Sequence, residues 1–362
     1  MAKQLRPQQE LFFQFISCKQ AGSVVTEAEI LAATKWKQAT IDAYRIKNML
    51  DPFLGPTGPG KYRVLRDGST VSKGEVAAAF TQKRPGVLVL SKGMKAKGDQ
   101  GSYELQTYIG QGAVAHVWVA RAPDGRKLAI KVMNPREDLL EPNILENVRQ
   151  RFSRESRHGM TISHENIVTY RDVGELSKHP FLVMDLADES LEARLAKNPL
   201  NLRDSLDVMA GCVAGLKHLH GLECVHRDVK PANILRFGDR YALGDLGIVQ
   251  WSDLNKAFVS AGTITRASVQ LGSWHYMPPE QRRLPHKVTS AVDIYALGIT
   301  WYEMLTGNTP DPGEVGAQAF DDPTENPPTN DLIRRMLRYA AGERPTAEDV
   351  ESVLSNTRSQ FS

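Results

Sequence analysis

Polar groups suited to a reaction stand close together at His226-Arg227-Asp228-Val229-Lys230-Pro231-Ala232-Asn233-Ile234-Leu235. Asp228 offers a carboxylate that can accept a hydroxyl proton. Lys230, two residues on, puts a cation beside it, and Asn233, five residues on, offers a side-chain carbonyl oxygen to a metal ion. Val225 before the run and Ile234-Leu235 after it read as short buried strands that hold the loop at both ends. A base, a cation and a metal ligand on one short loop suit phosphoryl transfer, because catalysis of that reaction is mostly positioning and charge neutralisation. A solvated turn would need four spaced polar matches by accident.

The loop resembles the catalytic loop of protein kinases, and Lys230-Pro231 resembles their serine/threonine branch (Hanks-type kinases) rather than the tyrosine branch. Other motifs of that family follow in order. Gly110-Gln111-Gly112-Ala113 joins two strand-like runs, Tyr103–Ile109 and Ala115–Ala120, and glycines there let backbone amides approach phosphate oxygens. Ala115 stands where the family has a third glycine, and Val117 matches the residue that packs on adenine. Leu128-Ala129-Ile130-Lys131 resembles the third strand of the small lobe. The resemblance implies that Lys131 holds the α- and β-phosphates of ATP and pairs with a helix carboxylate, Glu155 in preference to Glu146.

Phe181-Leu182-Val183-Met184-Asp185-Leu186-Ala187 resembles the strand and hinge between the lobes, with Met184 as gatekeeper and the backbone of Asp185 and Ala187 on the adenine edge. Asp245-Leu246-Gly247, seventeen residues after Asp228, resembles the metal-binding triplet with Leu in place of Phe, so Asp245 and Asn233 are the implied Mg²⁺ ligands. Arg227 precedes the catalytic Asp, and an Arg there is normally neutralised by a phosphate. Thr263, Thr265 and Ser268 are therefore the expected regulatory acceptors, with autophosphorylation between molecules the simplest source. Ser273 matches a residue that supports the catalytic loop, Asp293 one that caps its backbone, and Arg344 the structural partner of Glu280.

Ahead of these motifs the chain has a different character. Helical spacing covers residues 8–17, Thr26 and Glu29 form a capping box before a helix over 27–33, and a third helix is expected over 38–50. A Gly/Pro loop over 55–60 then leads to a strand over 61–65. This order resembles a winged helix-turn-helix domain. Residues 1–100 carry 16 Lys and Arg against 8 Asp and Glu, although the whole chain is only +3. Lys35, Lys37, Arg45 and Lys47, with Thr40 and Tyr44 between them, fit a helix read against duplex DNA, and equally a basic face that docks a protein. A helix from Val76 to Phe80 and a strand from Val87 to Leu90 are expected next. The polar, basic stretch from Ser91 to Gly101 reads as a linker.

The expected architecture is α+β: a winged helix-turn-helix-like domain (1–90), a linker (91–101), a two-lobed protein kinase domain (102–355) and a tail (356–362). With 41% hydrophobic and 24% charged residues the chain has a globular composition, and no apolar run reaches the length of a membrane span. Cys18, Cys212 and Cys224 form no metal-ligand spacing and fit a reducing compartment. No signal peptide or lipidation motif is read, so the expectation is cytoplasmic. The implied function is a serine/threonine kinase that uses ATP and Mg²⁺ on protein substrates and self-associates for autophosphorylation. A pseudokinase scaffold fits less well, since Lys131, Glu155, Asp228, Asn233 and Asp245 are all present.

Overall fold

The computed structural model describes residues 7–35, 50, 53–58, 61–65, 67–73, 75–76, 88–111, 115–134, 142–246, 274–283, 288–317 and 319–361. Among these, two compact units form. The first holds the chain up to Arg149 together with Gly174–Phe181, and the second holds 150–173, 182–246 and 274–361.

The first unit begins with α1 (Pro7–Ser17), β1 (Val24–Thr26) and α2 (Glu27–Thr34). The capping box is present: Thr26 Oγ1 accepts from the Glu29 backbone N–H, and the Glu29 carboxylate accepts from the Thr26 N–H at 2.6 Å. Lys35 closes α2 in the left-handed conformation, φ 55°. β1 then pairs with β3 (Lys61–Val64), which pairs with β2 (Leu54–Gly58). Phe12, Ile16, Val25, Ile30, Phe53, Tyr62 and Val64 form its core, with Phe12 and Phe53 edge to face at 5.7 Å. Gly55-Pro56-Thr57-Gly58, expected as a loop, is strand instead. Pro56 is accommodated because β2 lies at the sheet edge, where a missing N–H costs no ladder bond, and the register shifts between Pro56 and Gly58. Lys37, Thr40, Tyr44, Arg45 and Lys47 lie outside the described residues, as does the chain from 77 to 87.

The rest of this unit is a sheet in the order β4-β5-β6-β7-β9-β8, closed into a barrel. β4 is Lys95–Gly98, β5 Ser102–Gln111, β6 Ala115–Arg121 and β7 Lys127–Met133. β8 (Tyr170–Leu176) and β9 (His179–Asp185) contribute their Gly174–Phe181 portion. Two expectations change here. Leu88–Leu90 is not a strand, and the 91–101 stretch expected as linker contains β4, which pairs with both β5 and β8. Its lysines alternate with Ala96, which is fully buried, so a basic composition conceals a period-two strand.

The second unit is largely helical. It holds the C-terminal part of α3 (Pro142–Gly159), then α4 (Leu191–Leu195), α5 (Leu202–Gly221), α6 (Pro279–Arg283), α7 (Ala291–Thr306), α8 (Pro312–Ala317), α9 (Pro327–Met336) and α10 (Ala347–Arg358). α7 is buried on nearly every side, from Val292 through Met304, and Gly307 ends it at φ 80°. Its Trp301 donates from Nε1 to Ser205 Oγ on α5 at 3.0 Å, so the buried indole N–H is satisfied. A short sheet, β10 (Glu189–Ser190), β11 (Ile234–Phe237) and β12 (Arg240–Leu243), lies against the same core. The expected tail at 356 is the end of α10, where Thr357 is buried and Arg358 bonds Asp207. The proline-rich run from Thr309 to Pro328 includes α8, with Val315 and Phe320 buried.

Candidate active site

Sequence order places Asp228 just ahead of β11, and the fold decides which groups surround it. Lys230 Nζ donates to Asp228 Oδ2 at 2.6 Å, and Asn233 Nδ2 donates to the same oxygen and to the Asp228 carbonyl, each at 2.8 Å. Asp228 and Lys230 keep only 13% and 15% of their side-chain surface exposed, so this pair is little screened by water. With Nδ2 turned to Asp228, Asn233 is left with Oδ1 as the oxygen a divalent cation would take.

A buried carboxylate holds the loop from below. Asp293, fully buried on α7, accepts from the His226 N–H (2.8 Å), the Arg227 N–H (2.7 Å) and His220 Nε2 (3.0 Å). Gln281 of α6 donates to the Arg227 carbonyl at 2.8 Å. Arg227 is therefore gripped at both its N–H and its C=O while at φ 69°, a left-handed strain that only an over-determined loop keeps.

The loop is also tied to the β11–β12 hairpin. His226 Nε2 donates to the Gly244 carbonyl at 3.0 Å while its Nδ1 accepts the Asp228 N–H, which defines the tautomer. Gly244 N–H in turn donates to the Asn233 carbonyl. Asp245 follows at once, with φ 60°. Leu246 N–H donates to Tyr170 Oη at 3.2 Å. Burial, then the negative charges of Asp245 and Glu155, raise the Tyr170 pKa far above its usual value, so the hydroxyl stays protonated. The turn at His164–Val168 supports this hairpin: Asn166 Nδ2 donates to the Tyr241 carbonyl and the Asn166 carbonyl accepts from Leu243 N–H.

Around the loop, Tyr276 Oη donates to Glu303 at 2.5 Å. Burial raises the pKa of Glu303, and that of Glu192 as well, where the Lys230 cation opposes the shift. Arg344, whose side chain is fully buried, forks onto Glu280 at 2.5 and 3.1 Å and reaches three backbone carbonyls. That fixes the start of α6 relative to α7.

The expected site residues divide between the units. In the second, Asp228, Lys230 and Asn233 are brought into contact, and Asp245 ends the adjoining hairpin. Glu155 lies on α3. Asp185 ends β9, its N–H given to the Thr169 carbonyl and its carboxylate forked by Arg171 at 2.7 and 2.8 Å. Only its carbonyl is left for a ligand edge, and Ala187 follows two residues on. In the first unit, Gly110 and Val117 are cross-strand partners, and so are Val117 and Lys131. Gly110 thus belongs to the paired strands rather than to the loop expected there. Gly112, Thr263, Thr265, Ser268 and Ser273 lie outside the described residues. Gln281 and Tyr170 were not foreseen, and no spacing in the sequence marks either one.

A carboxylate braced by lysine and asparagine, with a second carboxylate just after the β11–β12 hairpin, is a donor set suited to phosphoryl transfer. The chain belongs to the protein kinase domain family, which it matches over residues 103–353. It is 33% identical over 270 residues to the serine/threonine-protein kinase PrkC of Bacillus subtilis, a match covering 70% of this chain and 40% of that protein. To the serine/threonine-protein kinases PknA of Corynebacterium glutamicum and of Mycobacterium tuberculosis it is 32% identical over 276 and 283 residues. Those matches cover 71% of this chain in each case, and 56% and 62% of those proteins. The chain thus spans about half the length of the curated relatives it matches. The crystal structure of the Mycobacterium tuberculosis PknI kinase domain shares the fold, with a TM-score of 0.54 at 20% identity, covering 76% of this chain and all of that one.

Proposed function

We propose that this chain transfers the γ-phosphate of ATP to serine and threonine hydroxyls of proteins. The observation that carries this is the Asp228 carboxylate, held by Lys230 and Asn233 on a loop whose backbone is anchored to buried Asp293. Asp228 orients the substrate hydroxyl and takes its proton, and Lys230 neutralises charge on the group in transfer. Asn233 Oδ1 and the Asp245 carboxylate are hard oxygen donors of the kind Mg²⁺ prefers, and these two would hold it. The metal would supply charge neutralisation at the phosphates. In the first unit Lys131 and Val117, side by side on β6 and β7, serve the phosphates and the adenine ring, with Gly110 at the head of the loop. Glu155 is the helix carboxylate that the family resemblance assigns to Lys131, and the backbone of Asp185 and Ala187 is assigned to the adenine edge.

The test is incorporation of labelled phosphate from ATP into a generic protein substrate. Asp228→Asn keeps the shape and removes the proton acceptor, and Asp245→Asn weakens the metal site. Each lowers the rate by about two orders of magnitude or more, and equal incorporation by wild type and both variants ends this reading. Regulation by phosphorylation of Thr263, Thr265 and Ser268, through self-association, belongs to the same proposal and is read by mass spectrometry of active protein. A cytoplasmic location fits as well, and no helix among the described residues is long and apolar enough to cross a membrane.

For residues 1–90 the α1-β1-α2 order and the β1-β3-β2 sheet favour a winged-helix-like module. The basic excess suits duplex DNA, with protein docking the alternative. Titration of a 1–90 fragment with DNA over a salt series separates the two, because phosphate contacts weaken steeply with salt.

A further inference from the structure

We infer that Asn134, together with the Leu88–Gly98 strap it holds, is a positioning residue for the nucleotide face of the small sheet. The strap is continuous with the sheet. Asn134 Nδ2 donates to the Leu88 carbonyl at 2.8 Å, and Leu90 is buried beside that contact in sequence. Gly93 N–H donates to the Leu105 carbonyl, and Leu105 N–H to the Met94 carbonyl, each at 2.8 Å. β4 then runs antiparallel to β5, with Ala96 opposite Tyr103, and to β8, with Gly98 opposite Gly174. A Cβ on Gly174 would stand 2.5 Å from the Lys97 carbonyl, so the fit admits nothing larger. This strand closes the barrel and leaves its neighbours no free edge. It lies outside the family match, which begins at residue 103, and it is the path by which residues 7–76 join the sheet.

The latch lies one residue from the nucleotide side. Val117 and Lys131 are cross-strand partners on one face, both half-buried. His116 and Val132 are the next pair, fully buried on the other face. Asn134 Nδ2 is also 3.3 Å from His116 Nδ1, so a neutral His116 accepts there and carries its proton on Nε2. On the neighbouring strand, His179 Nδ1 bonds the Met133 carbonyl at 3.0 Å. Both faces of a strand share one backbone, so releasing Asn134 from Leu88 moves the chain that carries Lys131 and Val117. Asn134 Oδ1 and His116 Nε2 have no hydrogen-bond partner among the described residues. A partly satisfied polar cluster is a weak clasp, so loss of the Asn134–Leu88 bond is felt at the nucleotide face.

This inference rests on the reading of Lys131 and Val117 as nucleotide contacts. The test uses the full-length chain with Asn134→Asp, Asn134→Ala and Ala96→Asp, and Lys131→Met as a control. The expected result is a five- to twentyfold rise in KM for ATP in the first three, with kcat at saturating ATP within twofold of wild type. Binding of a non-hydrolysable ATP analogue weakens by the same factor. A purely structural part for Asn134 lowers the thermal midpoint and kcat and leaves KM alone, and that result overturns the inference. So does an unchanged KM in Asn134→Ala, which removes the donor without adding charge and decides the matter even where the acidic variants do not fold. If Lys131→Met binds the analogue as wild type does, the nucleotide reading itself fails, a separate outcome.

Discussion

Asp293→Asn is the sharpest test of how the catalytic loop is held. The carboxylate is fully buried, and its two oxygens serve three donors: Oδ2 takes the His226 N–H and His220 Nε2, and Oδ1 takes the Arg227 N–H. Asparagine has the same shape but only one acceptor. Whichever way the amide sits, its NH₂ group faces at least one backbone N–H. The better orientation keeps Oδ1 on His226 and His220 and sets NH₂ against Arg227. That loses one charge-assisted bond, worth about 1.5–3 kcal/mol, and leaves a buried donor unpaired. The expected destabilisation is about 3 kcal/mol, a fall of about 6–10 °C in the unfolding midpoint of a unit this size. Activity should fall further than stability. Arg227 sits at φ 69° because both its N–H and C=O are gripped, and once the N–H is freed the strain relaxes just ahead of Asp228. A shift of about 1 Å there costs on the order of a hundredfold in rate. Thermal unfolding by circular dichroism and phosphorylation kinetics on the folded variant measure the two effects separately. A midpoint within 2 °C of wild type, with kcat within about twofold, would refute the assignment of Asp293 as the anchor.

Three further outcomes follow from the structure. Burial, and then His179, depress His116 to a pKa of about 4 from 6.5, so the folded state holds it neutral. Its contribution is fully present above pH 6.5 and is lost as pH falls toward 4, about 3 kcal/mol in all, and His116→Gln should flatten that part of a denaturation-versus-pH curve. Arg344→Lys loses the fork onto Glu280 and cannot reach the carbonyls of Arg338, Ala291 and Tyr339 together, so denaturant unfolding should show about 3–5 kcal/mol of destabilisation. Thr26→Ala removes the Oγ1 that accepts the Glu29 N–H and leaves the residue-26 N–H on the Glu29 carboxylate, so the first unit should lose about 1 kcal/mol, a shift resolvable by chemical denaturation.

Much of the kinase portion is legible in the chain, because its chemistry is local. Asp228, Lys230 and Asn233 lie within six residues, close enough that loop geometry alone brings them together, and the structure puts all three in contact. The capping box at Thr26 and the strands around Gly110 are likewise set by neighbours in sequence. What the sequence conceals is long-range and mostly backbone. β4 reads as linker because its lysines face outward, and only pairing with β5 and β8 makes it a strand. β2 reads as loop because it contains proline and glycines, and only an edge position lets it join a sheet. Gln281 on the Arg227 carbonyl, Tyr170 on the Leu246 N–H and Asn134 on the Leu88 carbonyl each join a side chain to a peptide group 46 to 76 residues away. A peptide group is the same at every position, so no residue pattern can name the one that a distant side chain will find. Residue type and spacing determined which groups could react. The tertiary structure alone decided which backbone atoms hold them still.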